Sequence, residues 1–125
     1  MNAVGLELIL KEDLPSSLEE IAEVIGREGA LQLVNAWGGT RIFVPRKLRV
    51  QHKLVTLLGY EQARRLSYHF GGETLTVVRA AELLRRTRNR EIVRRYDSGT
   101  NVRQLARENA LTERQIYAIL STHVS

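Results

Sequence analysis

The sequence predicts a mainly α-helical chain with a short two-stranded β ribbon, built as a helical N-terminal assembly domain followed by a C-terminal helix-turn-helix. Three observations carry this expectation. A shift of 33 positions superposes two stretches of the chain, apolar residues from Asn101 to Leu120 recur at the spacing of two packed helices, and the positive charge gathers just before and within that last stretch.

Under the shift, Gly26, Ala30, Leu33, Gly38, Gly39, Val44 and Arg46 fall on Gly59, Ala63, Leu66, Gly71, Gly72, Val77 and Arg79. The repeats run from about 18 to 46 and from 51 to 79 within an assembly domain of residues 1–78. In each copy a short apolar helix ends at a glycine, expected as a left-handed stop. A second helix follows, with Ala30, Leu33, Val34 and Trp37 on one stripe, or Ala63, Leu66 and Phe70. Each ends in a glycine pair, after which Thr40 to Val44 and Glu73 to Val78 are rich in β-branched residues and read as strands. Two like units of this kind can share one apolar face about an approximate two-fold axis, the strands meeting as a ribbon. Ile42 and Val44, matched by Leu75 and Val77, form its core face, while Arg41 and Phe43 in one copy and Thr74 and Thr76 in the other form the diverged outer face.

Ahead of the first repeat, Ser16 or Ser17 with Glu19 or Glu20 three positions on predicts a capping-box start, and Pro15 separates it from an arm, Gly5 to Leu10, that reads as strand or as helix fringe. After the second, Val78 stands where the first copy has Pro45, so the chain is expected to run on as a linking helix over 79–88. Residues 89–125 then form the terminal domain, with helices over Asn89 to Asp97, Val102 to Asn109 and Glu113 to Thr122. Asn101 with Gln104, and Thr112 with Gln115, supply the caps of the last two. Leu105, Leu111, Ile116 and Ile119 are spaced to pack this pair together, and small Ala106 allows a close crossing. In the turn, Ala110 stands where glycine is frequent and carries strain if its φ is positive, unless Asn109 takes that conformation.

Charge separates the two parts. Residues 1–78 hold nine Lys/Arg and nine Asp/Glu, whereas residues 79–125 hold ten arginines and five acids, so the whole excess of +5 lies in the last third. Arginine suits planar contacts with phosphate and guanine, which points to double-stranded DNA as the partner. Thr112, Arg114, Gln115, Tyr117, Ala118 and Ser121 are the candidates for reading base edges, Arg114 toward guanine and Gln115 toward adenine unless it is held as the cap of Thr112. Arg88, Arg90, Arg94, Arg103 and Arg107 are the candidates for phosphate contacts.

Other chemistries find no foothold. The chain has no cysteine, which excludes a disulfide framework and a thiolate metal site and fits a reducing cytoplasm. His52, His69 and His123 are scattered and read as structural histidines, so no metal and no cofactor is expected. Val4 to Leu10 is too short and too interrupted for a signal peptide or a membrane span. Neither a phosphate loop, a dinucleotide glycine pattern nor a nucleophile elbow is present, so an enzyme is not expected.

The combination of GGTRIFVPR, GGETLTVVR, an arginine-rich link and REIVRRYDSGTNVRQLARENALTERQIYAIL resembles the Mor/C family of phage Mu middle and late transcription activators. The resemblance covers about residues 18 to 120. It implies a dimerisation domain of helices and a strand joined to a helix-turn-helix, binding to a dyad-like promoter element, and recruitment of host RNA polymerase in the bacterial cytoplasm. It also implies that Arg41, Phe43, Thr74 and Thr76 approach the DNA minor groove. Two glycine-pair units on one chain depart from the simplest members, and the duplicated half can stand in for the partner of a homodimer. The alternatives are a repressor or transposition accessory of a phage or prophage, or an interaction module whose arginines bind an acidic protein.

Overall fold

The computed structural model describes residues 9–122, which form six helices and one two-stranded antiparallel sheet. The chain divides into two compact units, Met1–Leu84 and Arg85–Ser125. Most of the predicted arm, Gly5 to Leu8, and His123 lie outside the described residues.

In the first unit a 3-10 turn, Lys11–Asp13, precedes helix α1, Ser16–Trp37. The expected serine cap is not used: Pro15 occupies the cap position, extended at φ −61° and ψ 154°, and no side chain bonds the free amides there. Instead the Pro15 carbonyl accepts from the Leu18 and Glu19 N–H groups at 3.0 and 2.9 Å, so a backbone acceptor takes up amides of the first turn of the helix. Gly26 breaks α1 into two limbs. Its φ of 84° and ψ of 161° match those of Gly59, 85° and 158°, which separates helix α2, Lys53–Leu58, from α3, Tyr60–Phe70. The positive φ was expected, but the ψ is extended rather than left-handed helical, a region that only glycine occupies without strain.

Strand β1, Arg41–Phe43, pairs with β2, Thr74–Thr76, in the register Arg41 with Thr76, Ile42 with Leu75 and Phe43 with Thr74. Ile42, Val44 and Val77 are buried and Leu75 is half-buried, so the inner face is the predicted one. They join Leu18, Ile21, Ile25, Leu33, Val34, Leu54, Ala63, Leu66 and Leu83 in one apolar core. The segments matched by the 33-residue shift are also tied to each other. Gln62 Nε2 donates to the Ile25 carbonyl at 2.8 Å, Ser67 Oγ donates to the Pro45 carbonyl at 2.5 Å, and Lys53 Nζ lies 5.1 Å from the Trp37 ring centre.

Helix α4, Ala80–Asp97, runs unbroken through both the expected linking segment and the expected first helix of the terminal domain. Its sequence holds Ala, Leu, Glu and Arg and neither glycine nor proline, so nothing in it favours a stop. The unit boundary falls within it, and its later part belongs to the second unit with α5, Val102–Glu108, and α6, Glu113–Thr122. There Ile92, Val102, Leu105, Ala106 and Ile116 are buried together, with Leu111, Ile119 and Leu120 packed against them. Among the described residues no helix is long and apolar enough to cross a membrane.

Candidate nucleic-acid interface

Two turns of one kind build the second unit. Past the end of α4, the Thr100 N–H donates to the Arg95 carbonyl at 3.0 Å with Gly99 at φ 107° between them. Past the end of α5, the Leu111 N–H donates to the Ala106 carbonyl at 2.9 Å with Ala110 at φ 54°. A bond spanning six residues around a positive-φ position closes a helix and satisfies carbonyls that would otherwise lack donors. Ala110 is the one non-glycine residue with positive φ among the described residues, so the strain flagged in the sequence falls on it. Asn109 keeps φ at −101° and uses its side chain instead, Nδ2 donating to the Leu105 carbonyl at 2.8 Å.

The caps read from the sequence are present. Asn101 Oδ1 accepts from the Gln104 N–H at 2.8 Å at the start of α5. At the start of α6 the Gln115 N–H donates to Thr112 Oγ1 at 3.1 Å, and the Thr112 N–H donates to Gln115 Oε1 at 2.9 Å. Gln115 Oε1 also accepts from the Thr112 hydroxyl at 3.3 Å. Both lone pairs of that oxygen are then engaged. A bidentate grip on adenine needs the same oxygen, so Gln115 reads a base only by giving up the cap.

With Ile116 buried under α5, the rest of the first turns of α6 face outward. Thr112, Arg114, Gln115, Tyr117, Ala118 and Ser121 are all exposed, Tyr117 to 58%. Helix α5 offers Arg103 and Arg107, also exposed and one turn apart. Among the described residues no hydrogen bond or ion pair is made by the guanidinium groups of Arg103 and Arg114, while Arg107 sits close enough to Glu108 to help lower its pKa.

The other predicted phosphate contacts are differently placed. Arg94 is exposed but paired with Glu91, whose carboxyl its hydrogen bond holds below the ordinary carboxylate range. Arg90 is half-buried, 4.0 Å from Glu91, and Arg88 is half-buried with Nη2 donating to Asn89 Oδ1 at 2.9 Å. Sequence reasoning missed Arg95, which bonds Glu108 across α4 and α5 while Gln104 Nε2 donates to the same carboxylate at 2.8 Å. Those two donors, Arg95 first, lower the Glu108 pKa. The signal was faint, because the partners lie 13 positions apart and meet only once the turn at Ser98 to Asn101 has formed.

Arg41, Phe43, Thr74 and Thr76 belong to the first unit, where they make up the exposed face of the ribbon, Phe43 with 57% of its surface open. Among the described residues no group of three or more His, Asp or Glu is placed to hold a metal ion. His52 caps α2 instead, Nδ1 accepting from the Leu54 N–H at 3.1 Å.

A helix with a polar outer face, packed through its inner face on a neighbour that carries exposed arginines, is an arrangement found in regulators of transcription that bind DNA. Residues 47–124 match the model of the Mor transcription activator family, and the chain belongs to that family. The match begins after the first of the two glycine-pair segments, so residues 18–46, included in the resemblance drawn from the sequence, lie outside it. Comparisons with curated proteins and with solved structures gave no match.

Proposed function

We propose that the chain is a sequence-specific DNA-binding activator of phage or prophage origin, acting in the bacterial cytoplasm, in which α5 and α6 form a helix-turn-helix. The observation that carries the proposal is the exposed start of α6, with Arg114 uncommitted at its first turn, beside Arg103 and Arg107 on α5. In this mechanism α6 enters the major groove, Arg114 donates two N–H groups from one edge of its guanidinium to O6 and N7 of a guanine, and Thr112, Tyr117, Ala118 and Ser121 meet neighbouring bases. Gln115 takes part where the gain from adenine exceeds the loss of its cap. Arg103 and Arg107 hold phosphates and fix the register, with Arg88, Arg90 and Arg94 adding contacts when their present partners release them. The ribbon face of Arg41, Phe43, Thr74 and Thr76 meets a minor groove, as the family resemblance implies, and host RNA polymerase is the partner that activation requires.

Duplexes recovered from a random pool by the purified chain give the element. Transcription by host polymerase from a promoter carrying that element then tests the activity: an increase on adding the chain is expected, and an unchanged or reduced yield contradicts activation.

A further inference from the structure

The first unit contains a local two-fold relation whose two halves come from one chain. The Gly39 N–H donates to the Val77 carbonyl at 2.7 Å, and the Gly72 N–H donates to the Val44 carbonyl at 2.7 Å. The Val77 N–H donates to the Thr40 carbonyl at 2.9 Å, and the Val44 N–H donates to the Glu73 carbonyl at 2.9 Å. A shift of 33 positions turns each bond into its mate. The side chain of Arg79 lies against Gly39 and that of Arg46 against Gly72, the same exchange again. Ladder, flanking bonds and crossed arginines are therefore all completed in cis.

Completion in cis changes the count of readers. A regulator that reads an inverted repeat does so by placing two identical readers about a two-fold axis. Here the two-fold relates unlike segments within the first unit, and the described residues hold one second unit with one exposed α6. The halves of the ribbon also differ chemically: Arg41 and Phe43 stand on one strand, Thr74 and Thr76 on the other. The family match needs only one such segment, since it starts at residue 47.

We infer that a single copy of the chain is the DNA-binding unit and that its target is one undivided, non-palindromic element. This rests on the DNA-binding function proposed above. The ribbon then has a direction, a cationic and aromatic strand beside a hydroxyl-bearing one, so the bound duplex is oriented by the protein even where no base is read.

Two measurements test it. Arg41→Cys with Thr76→Cys places two thiols at Cα partners across the ribbon of a chain that has no other cysteine. Oxidation is expected to join them within one chain, leaving the mass at 14.2 kDa under non-reducing conditions. Covalent dimers, formed because β1 of one chain pairs with β2 of another, overturn the inference. Light scattering of the unsubstituted chain on its selected duplex reads the stoichiometry: one chain on an element without inverted symmetry is expected, and two chains on an inverted repeat overturn the inference while leaving DNA binding intact. Failure to retain any duplex removes the DNA-binding function and this inference with it, a result distinguishable because the cross-link in the free chain stays intramolecular.

Discussion

The two units put their apolar and charged residues to different use. The first balances its charges and spreads one core through α1, both strands, α2 and α3, with glycines wherever backbone must pass close to backbone. The second buries five side chains, closes two turns with the same hydrogen-bond pattern, and turns unpaired arginines outward. Substitutions in the core of the first should therefore act through folding, and surface substitutions in the second through binding. The contrast can be broken at several points.

The largest effect is expected in the small core, where few neighbours can close a gap. Leu105→Ala should cost about 2–5 kcal/mol in chemical denaturation and weaken DNA binding only in proportion to the unfolded fraction. A full loss of binding by a folded variant would mean that Leu105 does more than pack. In the first unit, Gly71→Ala should destabilise by about 1–3 kcal/mol, because a Cβ there lies 2.5 Å from the Ser67 carbonyl oxygen and 3.1 Å from Arg46 Cα, both backbone atoms. An unchanged midpoint would show that the crossing of the two segments is looser than the distances imply.

On the surface of the second unit the sign of the contrast reverses. Arg114→Ala should leave Tm unchanged and cost about 1–3 kcal/mol of duplex affinity with relaxed base preference. Arg103→Ala or Arg107→Ala should weaken binding to all sequences alike and lower the slope of log K against log salt by about 0.9 each. Equal losses in slope for Arg41→Ala would place the phosphate contacts on the ribbon as well.

The smallest effect is electrostatic. The Glu108 pKa is lowered by Arg95 and Gln104, so the stabilisation it lends to α5 is present above the ordinary carboxylate pKa and is lost as pH falls through the lowered value. Exposure keeps that contribution small. Melting of the wild type and of Glu108→Gln should differ slightly at neutral pH and converge under acid conditions. A constant difference at every pH would point to packing rather than charge.

What the sequence revealed was local. Glycine pairs before β-branched runs located the ribbon and its inner face, and a hydrogen-bonding residue three positions before its capped amide located the starts of α5 and α6. Even the strained residue of the turn, Ala110, was visible as an alanine where glycine is common. What it concealed depended on distance or on competition. The contact of Arg79 with Gly39 and the tie between Arg95 and Glu108 join residues brought together only by folding. The start of α1 misled because Ser16 and Ser17 satisfy the capping pattern, yet Pro15 already holds the cap position. Five arginines looked equivalent as phosphate contacts, and the partial burial of Arg88 and Arg90 and the ion pair of Arg94 with Glu91 separated these three from the exposed Arg103 and Arg107.

The most direct test compares the duplexes selected from a random pool by the wild type and by Arg114→Ala under the same salt. If the leading end of α6 reads bases, the wild type enriches one recurring element and the variant loses its preference at one position, a guanine, while the rest of the element survives. Enrichment of no element by the wild type, or the same element with the same preferences from both proteins, contradicts that account.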